Sequence, residues 1–512
     1  MNSNSCKERL GEVCIGGYAR AMTMVKKLKA ERAEQNKNPI FLNIGDNFQG
    51  TLWYELFGWN VTSHFLNILP ADATTLGNHE FDRGVKEVVN FLEHLKSPVL
   101  VANLDDSDEP EIQGLYKKSM VIERSGRKIG VIGALLVATE EISSPENLHI
   151  LNEIDSTRDE AARLRSEGVD IIVVLSHCGI DIDQQMAQTG GENIDVIVGG
   201  HSHSLYYSGE PAPGPDTPVD VYPAVYKHES GHNILVVQAS SYAKYVGDLV
   251  VYFDREGEAQ SWEGNTIFLD NSVEPDADII RELQPWKAKV DEVGQRDVGT
   301  VNETLDWTDC EFAECNIGNF IADAYADYFL SNSGQRRQKR TVLRKPSSIN
   351  TIAAMHAGGI RTDLSAGKVN YDDLFTVIPF MFGVDSFDLR GDHLLEALEY
   401  SGANYRDYNF LQFSGMKVVF NVTRPKFNRV VSVDVLNRQC KSLRYEKLNR
   451  AQWYRFIVPD FIGAGGNGFT VFKKNRRNVR KADKKDIEIV ERYIKKQQPV
   501  IQRKDGRLTV VT

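Results

Sequence analysis

The sequence holds no run of about 18 apolar residues, the length at which a helix crosses a lipid bilayer, so no transmembrane helix is expected. Basic residues are not in excess: 60 lysines and arginines stand against 71 aspartates and glutamates, which gives a formal net charge of −11. This balance excludes the overall basic footprint of a nucleic-acid-binding protein. We therefore expect no nucleic-acid partner.

Targeting signals are also lacking at the two ends of the sequence. The first residues, MNSNSCKERLGEV, contain no apolar stretch of the kind found in secretory signal peptides. The last residues, DGRLTVVT, contain no polar spacer followed by a long apolar tail. We therefore expect no membrane anchor.

Cysteine is scarce, with six in 512 residues, but its spacing is informative. Cys6 and Cys14 lie close together, as do Cys310 and Cys315. Close pairs are typical of local disulfide loops in secreted proteins, whereas six reduced thiols would suit a cytosolic enzyme. Three glycosylation sequons, which fit secretion, begin at Asn60, Asn302 and Asn421.

The rest of the composition, with 41% hydrophobic and 26% charged residues, is that of a globular protein, which excludes global disorder. In the first half, short apolar runs alternate with helical patterns, and this alternation predicts an α/β layered domain. Strands are predicted over residues 39–44, 99–102, 129–132, 171–175 and 196–198, with a strand pair in 234–253, and helices over 19–35 and 85–96.

In the second half, residues 275–293 form a polar helical pattern that we interpret as a helix between two domains. A further helix is predicted over residues 317–330. Two basic stretches, 335–345 and 473–485, are predicted to be solvated loops.

Four polar segments of the first half each follow a predicted strand, where the sites of α/β proteins usually lie. They are GDNFQG at 45–50, GNHEFD at 77–82, SHCG at 176–179 and GGHSH at 199–203. Together they supply a carboxylate, an amide oxygen and several imidazoles, a mixed set that suits Zn²⁺, Mn²⁺ or other divalent ions. A carboxylate that bridges two such ions is typical of centres that activate water against phosphate esters.

These four segments resemble the calcineurin-like metallophosphoesterase domain of the 5′-nucleotidase/apyrase family. ECNIGNFIADA, HAGGIR, FTVIPF and PDFIGAGGNGF of the second half are similar to its nucleotide-binding domain. The resemblance covers essentially the whole chain, and it points to the secreted salivary apyrases of blood-feeding arthropods and the animal ecto-5′-nucleotidases. It implies a four-layer α/β metallophosphoesterase domain over residues 1–273, a linker helix over 274–294 and an α/β nucleotide-binding domain over 295–512.

The resemblance implies two divalent metal ions, which could be zinc, calcium, magnesium, manganese or cobalt. The implied ligands are Asp46 bridging both metals, Asn78, His177 and His201 at one metal, and His203 at the other. His79 and Asp82 would form the catalytic dyad, in which the imidazole stabilises charge on the transferred phosphate. The alternative for Asp82 is a cap on the following helix.

In the second domain the resemblance implies that Arg361 holds phosphate and that Phe461 and Phe380 sandwich the base. The alternative for both rings is ordinary core packing. His356 and Asn467 also fall at substrate-binding positions. Because the loop 379–383 is about two residues longer than is usual in the family, either Phe380 or Phe382 could be the second ring.

Several positions depart from the family pattern. The first strand with its Asp-x-His metal ligands is missing, which we interpret as an incomplete N-terminus. Glu311 stands where ecto-5′-nucleotidases have a phosphate-binding arginine, and a carboxylate there would repel phosphate. His356 and Ala357 replace an Asn-Gly pair, and Asn467 replaces an aspartate. These changes predict weakened or altered nucleotide binding.

The tripeptide Arg390-Gly391-Asp392 could bind an integrin in an extracellular protein. The alternative is structural, with Asp392 as the N-cap of a helix over residues 393–400. We expect a secreted, metal-dependent hydrolase of extracellular ATP, ADP or AMP that limits platelet aggregation. A weakly active or inactive antiplatelet binder is the main alternative, and an adenosine-forming ecto-5′-nucleotidase is a third.

Overall fold

The computed structural model describes residues 14–335, 349–438 and 443–512. Cys6, Cys440 and most of the basic stretch 335–345 lie outside these residues. The chain divides into two compact units. Unit 1 comprises Met1–Gln49 and Trp53–Ala288, and unit 2 comprises Gly50–Leu52 and Lys289–Thr512.

Unit 1 alternates strands and helices along the sequence, as predicted. Its helices are α1 Tyr18–Glu34, α2 Leu52–Phe57, α3 Trp59–Leu66, α4 Val85–His94, α5 Thr139–Ile142, α6 Glu153–Ser166, α7 Ile180–Gln185 and α8 Ala277–Gly294. Its strands are β1 Leu42–Asn43, β2 Ala73–Thr74, β3 Leu104–Asp105, β4 Ser119–Arg124, β5 Arg127–Leu135, β6 His149–Ile150, β7 Ile171–His177, β8 Val196–Gly199, β9 Leu205–Tyr206, β10 Pro218–Asp220, β11 Ala224–Lys227, β12 Asn233–Val237, β13 Tyr245–Phe253 and β14 Ala259–Phe268. Helix α8 begins in unit 1, and its last residues belong to unit 2.

The main sheet of unit 1 has six strands in the order β11-β12-β8-β7-β5-β4. The four central strands, β12, β8, β7 and β5, run parallel, and an antiparallel strand closes each edge. Strand β7 shows why the central parallel strands are apolar along their length. Ile172 and Val174 pack into one hydrophobic cluster, and Leu175 packs into another. Because neighbouring side chains point to opposite faces, both faces of this sheet are covered.

Some strand predictions are only partly confirmed. In the predicted strand over 99–102, only Val99 and Leu100 form isolated bridges, and the predicted strand over 39–44 shrinks to β1. Residues 234–253 do contain two strands, but these do not pair with each other. Strand β12 joins the six-stranded sheet, and β13 pairs with β14.

Unit 2 is also α/β. Its helices are α9 Asn316–Gln335, α10 Tyr371–Val377, α11 Gly391–Ala403, α12 Asp460–Gly463, α13 Thr470–Asn475 and α14 Asp486–Gln497. Its strands are β15 Asp297–Val301, β16 Thr351–His356, β17 Gly367–Asn370, β18 Gly383–Arg390, β19 Leu411–Ser414, β20 Met416–Asn421, β21 Val430–Asn437, β22 Arg444–Lys447, β23 Trp453–Pro459, β24 Arg477–Lys485 and β25 Leu508–Val511. They form sheets of five strands, β19-β16-β23-β18-β24, and four strands, β22-β21-β20-β25.

Two of the described cysteines form a disulfide, and the other two, Cys14 and Cys178, are buried. Cys310 and Cys315 form a disulfide just before α9, with their Cα atoms 5.0 Å apart. Cys14 is buried, and its predicted partner Cys6 lies outside the described residues. Cys178 is a buried free thiol whose pKa is raised by burial.

The basic stretch 473–485 was predicted to be a loop, and this prediction is wrong. It spans the end of α13 and the whole of β24, which pairs antiparallel with β18 at the edge of the five-stranded sheet. An edge strand tolerates a charged sequence because much of its surface faces water. Eight of its nine residues are exposed.

The Arg-Gly-Asp tripeptide lies at the junction of β18 and α11. The helix begins at Gly391, two residues earlier than predicted, so Asp392 lies within its first turn and is not its N-cap. The backbone amides of Gly391 and Asp392 donate to the carbonyls of Gln452 and Arg450. Arg390 Nε lies 3.1 Å from the Asp392 carboxylate. Gly391 is buried, so the tripeptide is built into the fold.

No helix in the described part of the chain combines the length and the apolar character that a membrane span requires.

Candidate active site

Glycine lets two of the polar segments of unit 1 approach each other closely. Gly45, with φ +79°, follows β1, and Gly77 follows β2, the parallel partner of β1. A Cβ atom on Gly77 would lie 2.1 Å from Asp46 Oδ1, and one on Gly45 would lie 2.5 Å from the Gly77 nitrogen. Any other residue at either position would push the two segments apart.

Glu80 fixes the same two segments through their backbones. Its carboxylate accepts hydrogen bonds from the amides of Asp46 at 2.9 Å, Asn47 at 2.5 Å and Gly77 at 2.7 Å. It is fully buried, and burial together with the Asp46 charge raises its pKa to about 7. The sequence analysis missed Glu80, although a glutamate three residues after the N-cap position Gly77 is a known capping signal.

Asp46, His177 and His201 form the one group of three or more metal-ligand side chains found among the described residues. One ligand atom from each lies within 4.8 Å of the others. Asp46 Oδ2 lies 3.0 Å from His177 Nε2. The predicted ligand Asn78 joins this group, since its Oδ1 lies 2.9 Å from His201 Nδ1. Four predicted ligands from four separate segments therefore meet at one place.

His177 is oriented by the backbone. Its Nδ1 donates to the Ile44 carbonyl at 2.5 Å, which fixes the ring with its Nε2 3.0 Å from Asp46 Oδ2. This Nε2 is buried and makes no aligned hydrogen bond with any described residue. Burial alone would raise the pKa of the Asp46 carboxyl, but His177 and His79 outweigh it and hold the pKa well below its usual range.

A divalent cation fits this group. The three side chains converge from separate segments, and the buried His177 Nε2 has no aligned hydrogen-bond partner among the described residues. An imidazole and carboxylate set is one that Zn²⁺ and related ions accept.

His79 and Asp82 form a hydrogen-bonded pair beside the group. His79 Nδ1 donates to Asp82 Oδ2 at 2.7 Å, and Ser143 donates to the other Asp82 oxygen at 2.8 Å. Helix α4 has Gly84 as its N-cap and no side-chain cap, so Asp82 does not cap it. The His79 amide donates to Asp46 Oδ1 at 3.0 Å, which ties this pair to the group.

His203 is not part of the three-residue group. Its ring packs edge-to-face against Tyr242, with ring centroids 5.3 Å apart. The residue itself follows His201 by two positions, and both have positive φ, +67° for His201 and +54° for His203. Its role at a second metal therefore stays a prediction.

In unit 2, Arg361 lies among aromatic rings. Its guanidinium carbon is 5.8 Å from the ring centre of Phe380 and 5.7 Å from that of Tyr408. One of its nitrogens donates to the Gly358 carbonyl at 3.3 Å. Sequence reasoning missed Tyr408, because no motif places it near Arg361.

Three phenylalanines stack in a row beside Arg361. Phe380 and Phe382 have ring centroids 5.2 Å apart and planes inclined by 20°, and Phe382 and Phe461 have centroids 5.7 Å apart and planes inclined by only 7°. The sequence left Phe380 and Phe382 as alternatives for one ring. Both rings take part in the stacking, and Phe382 is the ring that contacts both Phe380 and Phe461.

His356 borders this stack. Its ring centre lies 6.0 Å from that of Phe382 and 6.5 Å from that of Phe461. Burial, helped by the nearby Arg361 charge, lowers the pKa of His356 to about 3. The imidazole is therefore neutral at physiological pH, and it does not add a positive charge for phosphate.

Asn467 and Glu311, two further positions that depart from the family pattern, also lie in unit 2. Asn467 has φ +52°, a left-handed conformation that asparagine tolerates better than most residues, and its carbonyl accepts from Tyr400 at 2.9 Å. Glu311 is largely buried; burial and the Asp407 charge raise the pKa of its carboxyl, and Arg361 opposes them. A raised pKa reduces the negative charge that phosphate would meet there.

Comparison with known proteins matches one family model to the first part of the chain and another to the second. Residues 10–205 match the family model for calcineurin-like phosphoesterases, and residues 293–474 match that for the 5′-nucleotidase C-terminal domain. An apyrase of Tabanus yao is 42% identical over 505 residues, which are 97% of this chain and 88% of that protein. A 5′-nucleotidase-related protein of Glossina morsitans morsitans is 38% identical over 517 residues, covering all of this chain and 91% of the relative.

A solved structure agrees with these relatives. The crystal structure of a 5′-nucleotidase precursor from Thermus thermophilus superimposes with a TM-score of 0.87 at 32% identity, over 98% of this chain and 94% of that one. These matches confirm the predicted fold class, a calcineurin-like phosphoesterase domain followed by a 5′-nucleotidase C-terminal domain. The chain therefore belongs to the 5′-nucleotidase/apyrase family of hydrolases.

Proposed function

We propose that this protein hydrolyses the terminal phosphate of adenine nucleotides, ATP, ADP or AMP, with divalent metal ions held in unit 1. The observation that carries the proposal is the convergence of Asp46, His177 and His201 from separate segments, with the buried His177 Nε2 lying 3.0 Å from Asp46 Oδ2. Relatives named apyrase and 5′-nucleotidase support nucleotides as the substrate class.

Asp46, Asn78, His177 and His201 would hold one metal ion, and Asp46 and His203 the second. Such ions, when bound, polarise phosphoryl oxygens and lower the pKa of water. Zinc, manganese, cobalt, magnesium and calcium all remain candidates, because mixed nitrogen and oxygen ligands accept several of them. Glu80 would act as a positioning residue, since it holds the backbone on both sides of Asp46.

His79 would stabilise the charge that develops on the transferred phosphate. Its Nδ1 donates to Asp82, which fixes the orientation of the ring. Donation to a phosphate oxygen would come from the other ring nitrogen when the imidazole is protonated. Preorganised donors of this kind contribute about 10²–10³-fold to the rate.

Unit 2 would bind the nucleotide. Arg361 offers a planar donor fork for phosphate, and the rings of Phe380 and Phe461 offer flat faces for a base. His356 and Asn467 border the same region. Neutral His356 and the carboxyl of Glu311 add no positive charge to it, so we expect weaker phosphate binding than an arginine at position 311 would give.

The protein would act outside the cell. The disulfide between Cys310 and Cys315 is typical of oxidising compartments, and the sequons fit secretion. Removal of extracellular ADP and ATP would limit platelet aggregation, which suits a relative of apyrases from blood-feeding flies.

The alternative, integrin binding through Arg390, Gly391 and Asp392, is not favoured by the contacts of that segment. Gly391 is buried, and the charged side chains of Arg390 and Asp392 pair with each other. An Asp392→Glu variant that lost platelet inhibition but kept hydrolysis would establish this alternative.

The proposal is tested by phosphate release from ATP, ADP and AMP, measured with and without EDTA and after return of each metal. We expect metal-dependent release that falls at least about 10²-fold in Asp46→Asn and His201→Ala, because each removes a proposed ligand. His149→Ala, at an exposed histidine of unit 1, is the matched control. Unchanged activity in both ligand variants would refute the proposal.

A further inference from the structure

The loop that follows strand β8 carries two of the proposed metal ligands on an unusual backbone. His201 has φ +67° and His203 has φ +54°, a left-handed conformation that residues with a side chain seldom adopt. Residues in this conformation persist where the surrounding structure holds them in it. The loop therefore depends on contacts with the elements beside it.

Gln238 supplies three such contacts. It directly follows β12, the parallel neighbour of β8, and only 3% of it is exposed. Its Nε2 donates to the Gly200 carbonyl at 3.2 Å. Its Oε1 accepts from the Ser204 amide at 2.5 Å and from the Ser202 hydroxyl at 3.1 Å. One side chain thus contacts residues 200, 202 and 204, and the two histidines are the residues in between.

The amide of Gln238 fits the loop in one orientation. The Gly200 carbonyl accepts and the Ser204 amide donates, so an exchange of the glutamine oxygen and nitrogen would turn both contacts into repulsions. The site therefore requires a donor and an acceptor at the end of one side chain. A methionine of similar length would fill the space and supply no such pair.

The loop that Gln238 holds is packed against the metal group. A Cβ atom on Gly200 would lie 3.1 Å from His177 Nδ1 and 3.0 Å from Ile44 Cγ2. The next residue, His201, has its Nδ1 2.9 Å from Asn78 Oδ1. A change in the path of the loop would therefore move His201 relative to the rest of the group.

We propose that Gln238 is a positioning residue for the metal ligands His201 and His203. It acts through the backbone of the loop and sets the place of both imidazoles before the metal binds. The inference rests on the proposed function, since it concerns the same metal centre. Residues that orient metal ligands in this way typically contribute about 10–100-fold to metal affinity.

The test measures Co²⁺ binding by titration, with visible absorption as the signal, because the absorption of Co²⁺ depends on the geometry of its ligands. Gln238→Met is compared with the unaltered protein. Gln238→Asn makes a smaller change, since it keeps the amide but is one methylene too short for all three contacts. Thermal unfolding reports whether each variant folds.

The matched control is Gln412→Met in unit 2. Gln412 is also a fully buried glutamine with three hydrogen bonds to the backbone of one loop. Its Nε2 donates to the carbonyls of Cys310 and Ala313, and its Oε1 accepts from the Cys315 amide. This variant therefore loses the same kind of contacts outside the unit that holds the metal group.

We expect Gln238→Met to bind Co²⁺ about 10–100-fold more weakly and with a changed absorption band. Gln238→Asn should change both in the same direction, and Gln412→Met should keep the affinity and the band of the unaltered protein. Unchanged affinity and absorption in the Gln238 variants, an equal loss in Gln412→Met, or no Co²⁺ binding by any of the proteins would overturn the inference. A failure of the proposed function would instead appear as Co²⁺ binding without phosphate release from any nucleotide, and the titrations would still decide the role of Gln238.

Discussion

Replacing Gly77 with alanine should disturb the geometry of the metal group much more than it lowers the stability of the fold. Gly77 has φ −105° and ψ 179°, which alanine adopts without strain. Its new Cβ would nevertheless lie 2.1 Å from Asp46 Oδ1 and 2.6 Å from the Asp46 nitrogen. Because ordinary contacts are at about 3.5 Å, Asp46 must move by roughly 1 Å.

We expect Gly77→Ala to lower catalytic activity strongly and stability only moderately. A displacement of about 1 Å in a catalytic centre lowers activity by about 10²-fold. Overpacking of this kind costs about 1–3 kcal/mol of stability, so the melting temperature should fall by several degrees and the fold should persist. Phosphate release from AMP and ADP gives the first quantity, and calorimetry gives the second.

The control for this variant is Gly168→Ala. Gly168 has φ +78°, so alanine there is strained, but nothing lies within 4 Å of its new Cβ. A strained residue of this kind costs about 1 kcal/mol, and activity should be unchanged. If Gly77→Ala keeps the full kcat/KM, or if both variants lose activity in proportion to stability, the position of Asp46 does not control the reaction.

Three further predictions concern other residues. Asp82→Asn should lower kcat about 10²-fold with little change in KM, because it removes the charge that orients His79; a change in KM alone would contradict this. Arg361→Lys should raise the KM for AMP about ten-fold, since lysine lacks the planar fork that stacks on Phe380, and an unchanged KM would exclude a phosphate-binding role. Burial raises the pKa of Asp486 to about 8, so the folded state holds a proton that the unfolded state loses above about pH 4, and stability should fall by up to about 1.4 kcal/mol per pH unit as pH rises from 4 to 8. Asp486→Asn should reduce this slope in urea unfolding, and an unchanged slope would count against it.

The sequence predicted which side chains would come together because they lie in short motifs. Asp46, Asn78 and His201 follow strands and His177 ends one, and strand order in an α/β sheet brings such positions together. Long periodic helices were also predicted well, as α1 and α4 show. Both kinds of signal are local in the sequence, so they need no knowledge of distant contacts.

The features that the sequence did not predict depend on contacts between residues that are far apart in the chain. The stacking of Phe382 on Phe461 joins two elements some 80 residues apart in the sequence. The capping position of Glu80 after Gly77 signals only its local contact, and its hydrogen bond to the Asp46 backbone crosses to another segment. The charged strand β24 was predicted to be a loop, because polarity alone does not distinguish an edge strand from a loop.

The edge strand β24 has a consequence for how copies of this protein meet. An open sheet edge offers unpaired backbone groups to any strand of another molecule. Here the edge carries five cationic side chains, which are Arg477, Arg480, Lys481, Lys484 and Lys485. Two molecules that tried to join their sheets along this edge would bring like charges face to face, although the chain as a whole is negative. This edge is thus protected against pairing with another copy, and raising the salt concentration should weaken that protection by screening the charges.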